Sequence, residues 1–312
     1  QADTSRLKAM RDIAWDGYLF SQPDSAFYFA GLQYDFAKYV NNKKHMANAL
    51  NIQGISFAIR DDHTKAIDYY TKNLKIFEEI VDKKGIANPL NNIGNIYNIQ
   101  GDYAKALDYY TRSLKIDEEL GNKKNIAYTL SNIGIIYDIQ GDFAKALDYY
   151  TRSLKIKEEI GDKRGISASF NNIGIIYLDQ GDLEKALDYQ TRSLKIYEEI
   201  VSKEGIAGCL NNIGAIYKDQ GDLAKAIDYF SRSLKIFEES GNKDGIATSL
   251  NNIGMIYYEQ GYYYKSLEKS TKALSIAQEI GNVENIKDAS VNLWKINKKL
   301  GKHKQALEMH EL

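Results

Sequence analysis

NNIGNIYNIQGDYAKALDYYTRSLKI, residues 91–116, returns every 40 residues with few changes, so that its glycine falls at Gly54, Gly94, Gly134, Gly174, Gly214 and Gly254 without a slip. Self-similarity at a period of about 20 to 50 residues marks a unit that cannot bury its own apolar face and stacks on copies of itself. A chain of 312 residues exceeds what one globular core holds, about 250–300 residues, but an array grows by adding units that touch only their neighbours.

Within the stretch, Leu90, Ile93, Ile96 and Tyr97 recur at three- and four-residue spacing, which places them on one stripe of a helix. Gln100-Gly101-Asp102 ends that helix and starts another, the glycine by taking left-handed angles and the aspartate by accepting from the first free amides. Ala106, Leu107, Tyr110, Leu114 and Ile116 supply the facing surface. Helices are expected over about 83–99 and 102–120, repeated every 40 residues. At the other boundary stand Asn42, Asp82, Asn122, Asp162, Ser202, Asn242 and Asn282, all preferred N-cap residues. Asp61 replaces the turn glycine in the first block, where a looser turn is expected, and Pro23 sits at a helix start. Gly94 and its equivalents lie inside a helix at a cost of about 1 kcal/mol each, which close approach of the partner helix explains. Asp108 with Arg112, and Lys115 with Glu119, read as solvated i,i+4 pairs.

The fold class is therefore all-α: a solenoid of antiparallel helix pairs, read as one domain over 1–312, with a degenerate pair at 1–41, six repeats at 42–281 and a partial repeat at 282–312. With 41 basic against 42 acidic residues and no basic tail, nucleic acid is excluded as the main partner. No apolar run reaches the ~18 residues of a membrane span. Cys209 is the only cysteine, so an internal disulfide and a cysteine zinc site are excluded, and it reads as a small buried hydrophobe. The chain begins at Gln1 without Met; it is periplasmic if an export signal preceded Gln1 and otherwise cytoplasmic.

Ile93-Gly94, Tyr97, Gly101-Asp102-Tyr103, Ala106 and Tyr110 together resemble the tetratricopeptide repeat. The period of 40 exceeds the family's usual length and is similar to the long repeats of kinesin light chain and of the Leu-Gly-Asn repeat adaptors. Gln190 and Ser270 depart from the family's aromatic, so weaker or specialised packing is expected there. The segments Pro23–Ala30 and Lys304–Leu312 resemble the repeat-containing sensor regions of bacterial histidine kinases and adenylate cyclases, and the chain stops in what should be the middle of its last helix, which reads as a truncation.

The resemblance implies a right-handed superhelix whose concave groove is lined by the first helix of each pair. Its expected inward positions are 88, 91, 92, 95, 98 and 99 and their equivalents. The near-constant part is an asparagine row: Asn91-Asn92, Ser131-Asn132, Asn171-Asn172, Asn211-Asn212 and Asn251-Asn252. An amide offers both donor and acceptor, so such a row suits an extended peptide backbone of any sequence; it equally suits a ladder bonded from repeat to repeat, and both readings stand. The varying positions run from amides at Asn88, Asn95 and Asn98, through Tyr128, Ile135, Ile139, Ile175 and Leu178, to Asp179, Lys218, Asp219, Tyr258 and Glu259, with Asp138 further back. That lining suits a peptide with an apolar middle and a basic residue toward the acidic end.

No catalytic constellation is legible: His45, His63, His303 and His310 are scattered, and no phosphate loop occurs. No cofactor and no metal are expected. The function expected is a protein- or peptide-binding module, the sensory or regulatory part of a larger bacterial signalling protein. The alternative is a scaffold that self-associates, as a homodimer, through a terminal face or the groove.

Overall fold

The computed structural model describes residues 2–310; Gln1, Glu311 and Leu312, which the sequence reading placed at the start and in the last segment, lie outside the described residues. The chain divides into two compact units, residues 1–160 and 161–312. In the first, α1 (Ala2–Asp12) runs into a π-helical turn (Ile13–Tyr18), followed by α2 (Pro23–Tyr39), α3 (Lys43–Ile59), α4 (His63–Glu79), α5 (Lys83–Ile99), α6 (Tyr103–Leu120), α7 (Lys123–Ile139) and α8 (Phe143–Ile160). The second holds α9 (Lys163–Asp179), α10 (Leu183–Glu199), α11 (Lys203–Asp219), α12 (Leu223–Ser240), α13 (Lys243–Glu259), α14 (Tyr263–Ile280), α15 (Val283–Lys299) and α16 (His303–His310). No strand occurs among the described residues. Inside each unit a helix packs mainly on the helices before and after it in the chain, as stacked pairs require.

The turns carry the expected chemistry. Asp62, Asp102, Asp182 and Asp222 accept from the backbone N–H three residues on, and Gly101, Gly141, Gly181 and Gly221 take positive φ. Asp61 does not loosen its turn. It adopts φ +57° and donates to the Ala58 carbonyl at 3.1 Å, as Gly101 does to Asn98 at 3.0 Å. At the other boundary Asn42, Asp82, Asp162, Asn242 and Asn282 cap as expected, but Asn122 and Ser202 make no capping bond. Asn122 donates to the Asp117 carboxylate instead.

Each glycine of the 40-residue beat answers to a side chain. A methyl on Gly94 would stand 2.7 Å from the Tyr110 ring, and Gly54, Gly134 and Gly214 meet Tyr70, Tyr150 and Phe230 in the same way. Close approach is thus made by an aromatic ring rather than by the partner backbone. Gln190 fills the Gly174 notch and donates to the Asn171 carbonyl at 3.0 Å, which is how that repeat does without an aromatic. In the last pair the arrangement is inverted: Trp294 stands at the glycine position and faces His310 at 6.3 Å between ring centroids. Glu119 pairs with Lys83 of the preceding first helix at 2.8 Å rather than with Lys115, and the same link recurs five more times, from Lys43–Glu79 to Lys243–Glu279.

Candidate functional site

The asparagine row forms rungs. In the first unit Asn92 Nδ2 donates to Asn51 Oδ1 at 3.0 Å, and Asn132 Nδ2 donates to Asn91 Oδ1 at 3.4 Å and to Asn95 Oδ1 at 3.1 Å. In the second, Asn212 donates to Asn171 at 2.9 Å, Asn252 to Asn211 at 3.3 Å and Asn292 to Asn251 at 2.6 Å. The bond always runs from the second asparagine of one repeat to the first of the repeat before. Each rung therefore engages one Nδ2 and one Oδ1, and keeps the other donor and acceptor of the two amides for other partners. Asn91, Asn92, Asn132, Asn171, Asn172, Asn211, Asn212 and Asn252 are half-buried, while Asn251 is buried. Asn171 Nδ2 also reaches its neighbour Asn172 Oδ1 at 3.4 Å.

The varying positions separate into packing and surface. Ile135 and Leu178 are half-buried, whereas Tyr128 and Ile139 are exposed in the first unit. Asp179, Asp219 and Glu259 are exposed at helix ends; burial nevertheless holds the Asp179 carboxyl above its ordinary range. Lys218 lies 3.6 Å from the Asp219 carboxylate, so this cation and anion serve each other. Tyr258 packs against the core cluster of the last repeats and its ring sits 5.6 Å from that of Tyr263. Asn95 accepts from the Tyr110 hydroxyl at 2.7 Å, which ties it to the aromatic in the glycine notch.

Two buried charges lay outside the sequence reading. Asp117 and Lys157 occupy the second-helix position that Phe77, Tyr197 and Phe237 fill elsewhere. Asp117 is 1 % exposed, accepts on Oδ1 from Asn122 at 3.0 Å and Asn125 at 3.3 Å, and has its carboxyl pushed above the usual range by burial. Lys157 donates to Ser131 Oγ at 2.8 Å, with its Nζ 5.9 Å from the centre of the Tyr128 ring. A comparison of the 40-residue copies at this position would have found both. Cys209 is buried as expected; it donates to Ser193 Oγ at 3.2 Å and burial pushes its thiol up to about 11, which removes it as a nucleophile. Among the described residues no group of three or more His, Cys, Asp or Glu is placed to hold a metal ion, and no helix is long and apolar enough to cross a membrane.

Stacked helix pairs with a repeated polar rung on their first helices define a helical-repeat protein. A model of the tetratricopeptide repeat matches residues 45–119, 85–159, 125–199, 165–239 and 205–279, and the chain belongs to that family. No curated protein matches it. Among solved structures it is similar to the quorum sensor NprR from B. thuringiensis in its apo form, with 16 % identity, 99 % of this chain and 85 % of that one covered and a TM-score of 0.74. It is also similar to a Rap protein complexed with competence and sporulation factor, at 15 % identity, covering 99 % and 96 % of the two chains with a TM-score of 0.67. BtubC from P. vanneervenii shares 20 % identity over 71 % of this chain and 93 % of its own, with a TM-score of 0.62. At these identities the likeness is one of fold.

Proposed function

We propose that the chain is a peptide- or protein-binding module of a bacterial signalling protein, which holds an extended segment along its first-helix faces. The observation that carries this reading is the asparagine rung. A ladder needs only one donor and one acceptor from each amide pair, and the half-buried rungs Asn92–Asn51 in the first unit and Asn252–Asn211 in the second make no further bond on either amide among the described residues, which leaves each a second donor and a second acceptor. Helices pack about 8–10 Å apart and an extended chain advances about 3.3 Å per residue, so successive rungs meet a peptide backbone on the order of every third residue. The signalling context rests on fold-level likeness to NprR and to the Rap protein complex.

The test is selection of peptides from a random display library on the full chain, followed by Asn92→Ala and Asn252→Ala. Each should weaken a selected peptide that spans its rung by about tenfold, the value of a lost amide pair. Selection of no peptide, or affinity unchanged from the wild type in both variants, refutes the reading. Exposed Phe20 in the turn before α2, Tyr28 and Tyr39 in α2, and Leu307 in α16 support the second reading, a self-associating scaffold. Light scattering over a concentration series separates the two: constant monomer mass supports the first, and a rise to dimer mass the second.

A further inference from the structure

The first full repeat departs from its sisters at the base of the cleft between its second helix and the next first helix. Ser113, Ser153, Ser193 and Ser233 donate their hydroxyls to the carbonyls of Ala87, Ala127, Ser167 and Ala207 at 2.9, 2.7, 2.8 and 2.8 Å. In the first repeat this position is Asn73, whose Nδ2 donates to the equivalent carbonyl of Ala47. A carbonyl accepts only from a donor, so the amide orientation is fixed and Oδ1 is the atom left over. Asn73 is 1 % exposed and its Oδ1 has no partner. An acceptor buried without a donor is costly and calls for an occupant.

A second departure falls among the residues of the same niche. Residue 89 in α5 is proline, buried inside the helix, and supplies no N–H, so the Gly85 carbonyl lacks the donor that Thr129, Ser169, Cys209 and Ser249 bring to the sister helices. Asn73, Gly85 and Pro89 line one niche of about 260 Å³. On its rim Lys44 is paired with Asp82 at 2.8 Å, Lys84 makes no ion pair among the described residues, and Asn48 adds an amide. The equivalent niche of the second unit, about 320 Å³ at Arg164, Glu204 and Gly205, has neither feature: Ser193 is satisfied and Cys209 replaces proline.

We propose that this niche is a side-chain subsite for a carboxamide, the Asn or Gln residue of a bound peptide; the proposal rests on the peptide-binding reading above. A carboxamide NH2 brings two N–H donors to the two acceptors, and its oxygen accepts from Lys84 or Asn48. A Lys or Arg side chain brings donors but sets its charge against two lysines with one carboxylate between them. An Asp or Glu carboxylate has no donor for Asn73, and a Ser or Thr hydroxyl has one where two are needed. The competing occupant is ordered water, which satisfies the same atoms without selecting any peptide.

The experiment is random-peptide display on the full chain, wild type and N73S in parallel. Serine at 73 restores the bond made in four sister repeats, so N73S folds, and its melting temperature should be no lower than that of the wild type. On the wild type, Asn or Gln should rise about tenfold over its input frequency at one position, and in N73S that preference should return to the input level while the other positions keep theirs. Enriched peptides with no amide position, or an amide preference that persists in N73S, overturn the subsite in favour of water and leave peptide binding standing. A library that enriches on neither protein overturns both.

Discussion

Val81 and Val201 stand where the chain leaves a second helix, and both hold left-handed backbone angles, φ +54° and +55°. At the same place in other repeats Gly121, Gly161, Gly241 and Gly281 hold φ +64° to +70°. A left-handed angle costs an L-residue about 1–2 kcal/mol, with a β-branched side chain at the upper end. The side chains are 79 % and 77 % exposed, so their removal forfeits little burial. Glycine returns part of the gain, about 0.5–1 kcal/mol, through the freedom of the unfolded chain. Val201→Gly should therefore stabilise the protein by about 1 kcal/mol, a rise of roughly 0.5 M in the urea midpoint at a slope of about 2 kcal/mol/M. Val81→Gly should do the same in the other unit, and the two should add because they share no partners. Val201→Ala is the control: it removes the branch but keeps a Cβ, and should gain less than Val201→Gly. Urea titration followed by helical circular dichroism reads all four variants. An unchanged or lower midpoint in both glycine variants refutes the claim that these turns are held under strain.

The other predictions concern the notches, the buried carboxyl and the surface pairs. Gly94→Ala sets a methyl 2.7 Å from the packed Tyr110 ring and should lose about 1–2 kcal/mol net of its gain in helix propensity, whereas Gly174→Ala meets the flexible end of Gln190 at 2.9 Å and should be near neutral; urea midpoints compare them. Burial raises the folded-state pKa of Asp117, so ionisation is what the fold penalises, and the wild type should gain stability as pH falls from 7 through that raised value towards the unfolded value. Asp117→Asn, which still accepts from Asn122 and Asn125, should be the more stable protein at pH 7 and should lack that gain; a difference between the two that does not narrow on acidification counts against it. Lys83→Ala removes an exposed pair to Glu119 and should change stability by less than about 1 kcal/mol, less still at 1 M salt.

The fold was legible because its determinants are local and repeated: the aspartate caps, the left-handed glycines and the apolar stripes each act within a few residues, and the 40-residue beat supplies the rest. The asparagine row was legible as a row but not as a bonding pattern, since the rung joins residues 41 apart in sequence, one repeat plus one residue. Val81 and Val201 were not legible as strained, because Asp82 and Ser202 after them are ordinary cap residues in the sequence and only the backbone angle shows that a β-branched residue has taken a glycine's place.

The carboxamide niche shows why departures from a repeat carry information only when they meet in space. Asn73 looks like a polar residue on a helix that carries several, and Pro89 is one of two prolines in the chain. Separately, each is a tolerated irregularity. Asn73 reaches back 26 residues to the Ala47 carbonyl, as the serines at 113, 153, 193 and 233 reach theirs, so its side chain is fixed at the cleft where α5 begins. Pro89 frees the Gly85 carbonyl in the same niche. Random drift among copies has no reason to put an unpartnered amide oxygen and a proline that removes a helix donor in one niche and neither in the equivalent niche of the second unit, where Ser193 and Cys209 keep the repeat's ordinary bonding. The pair therefore argues for selection on what enters that niche, and the N73S display experiment asks whether that occupant is a peptide's amide or water.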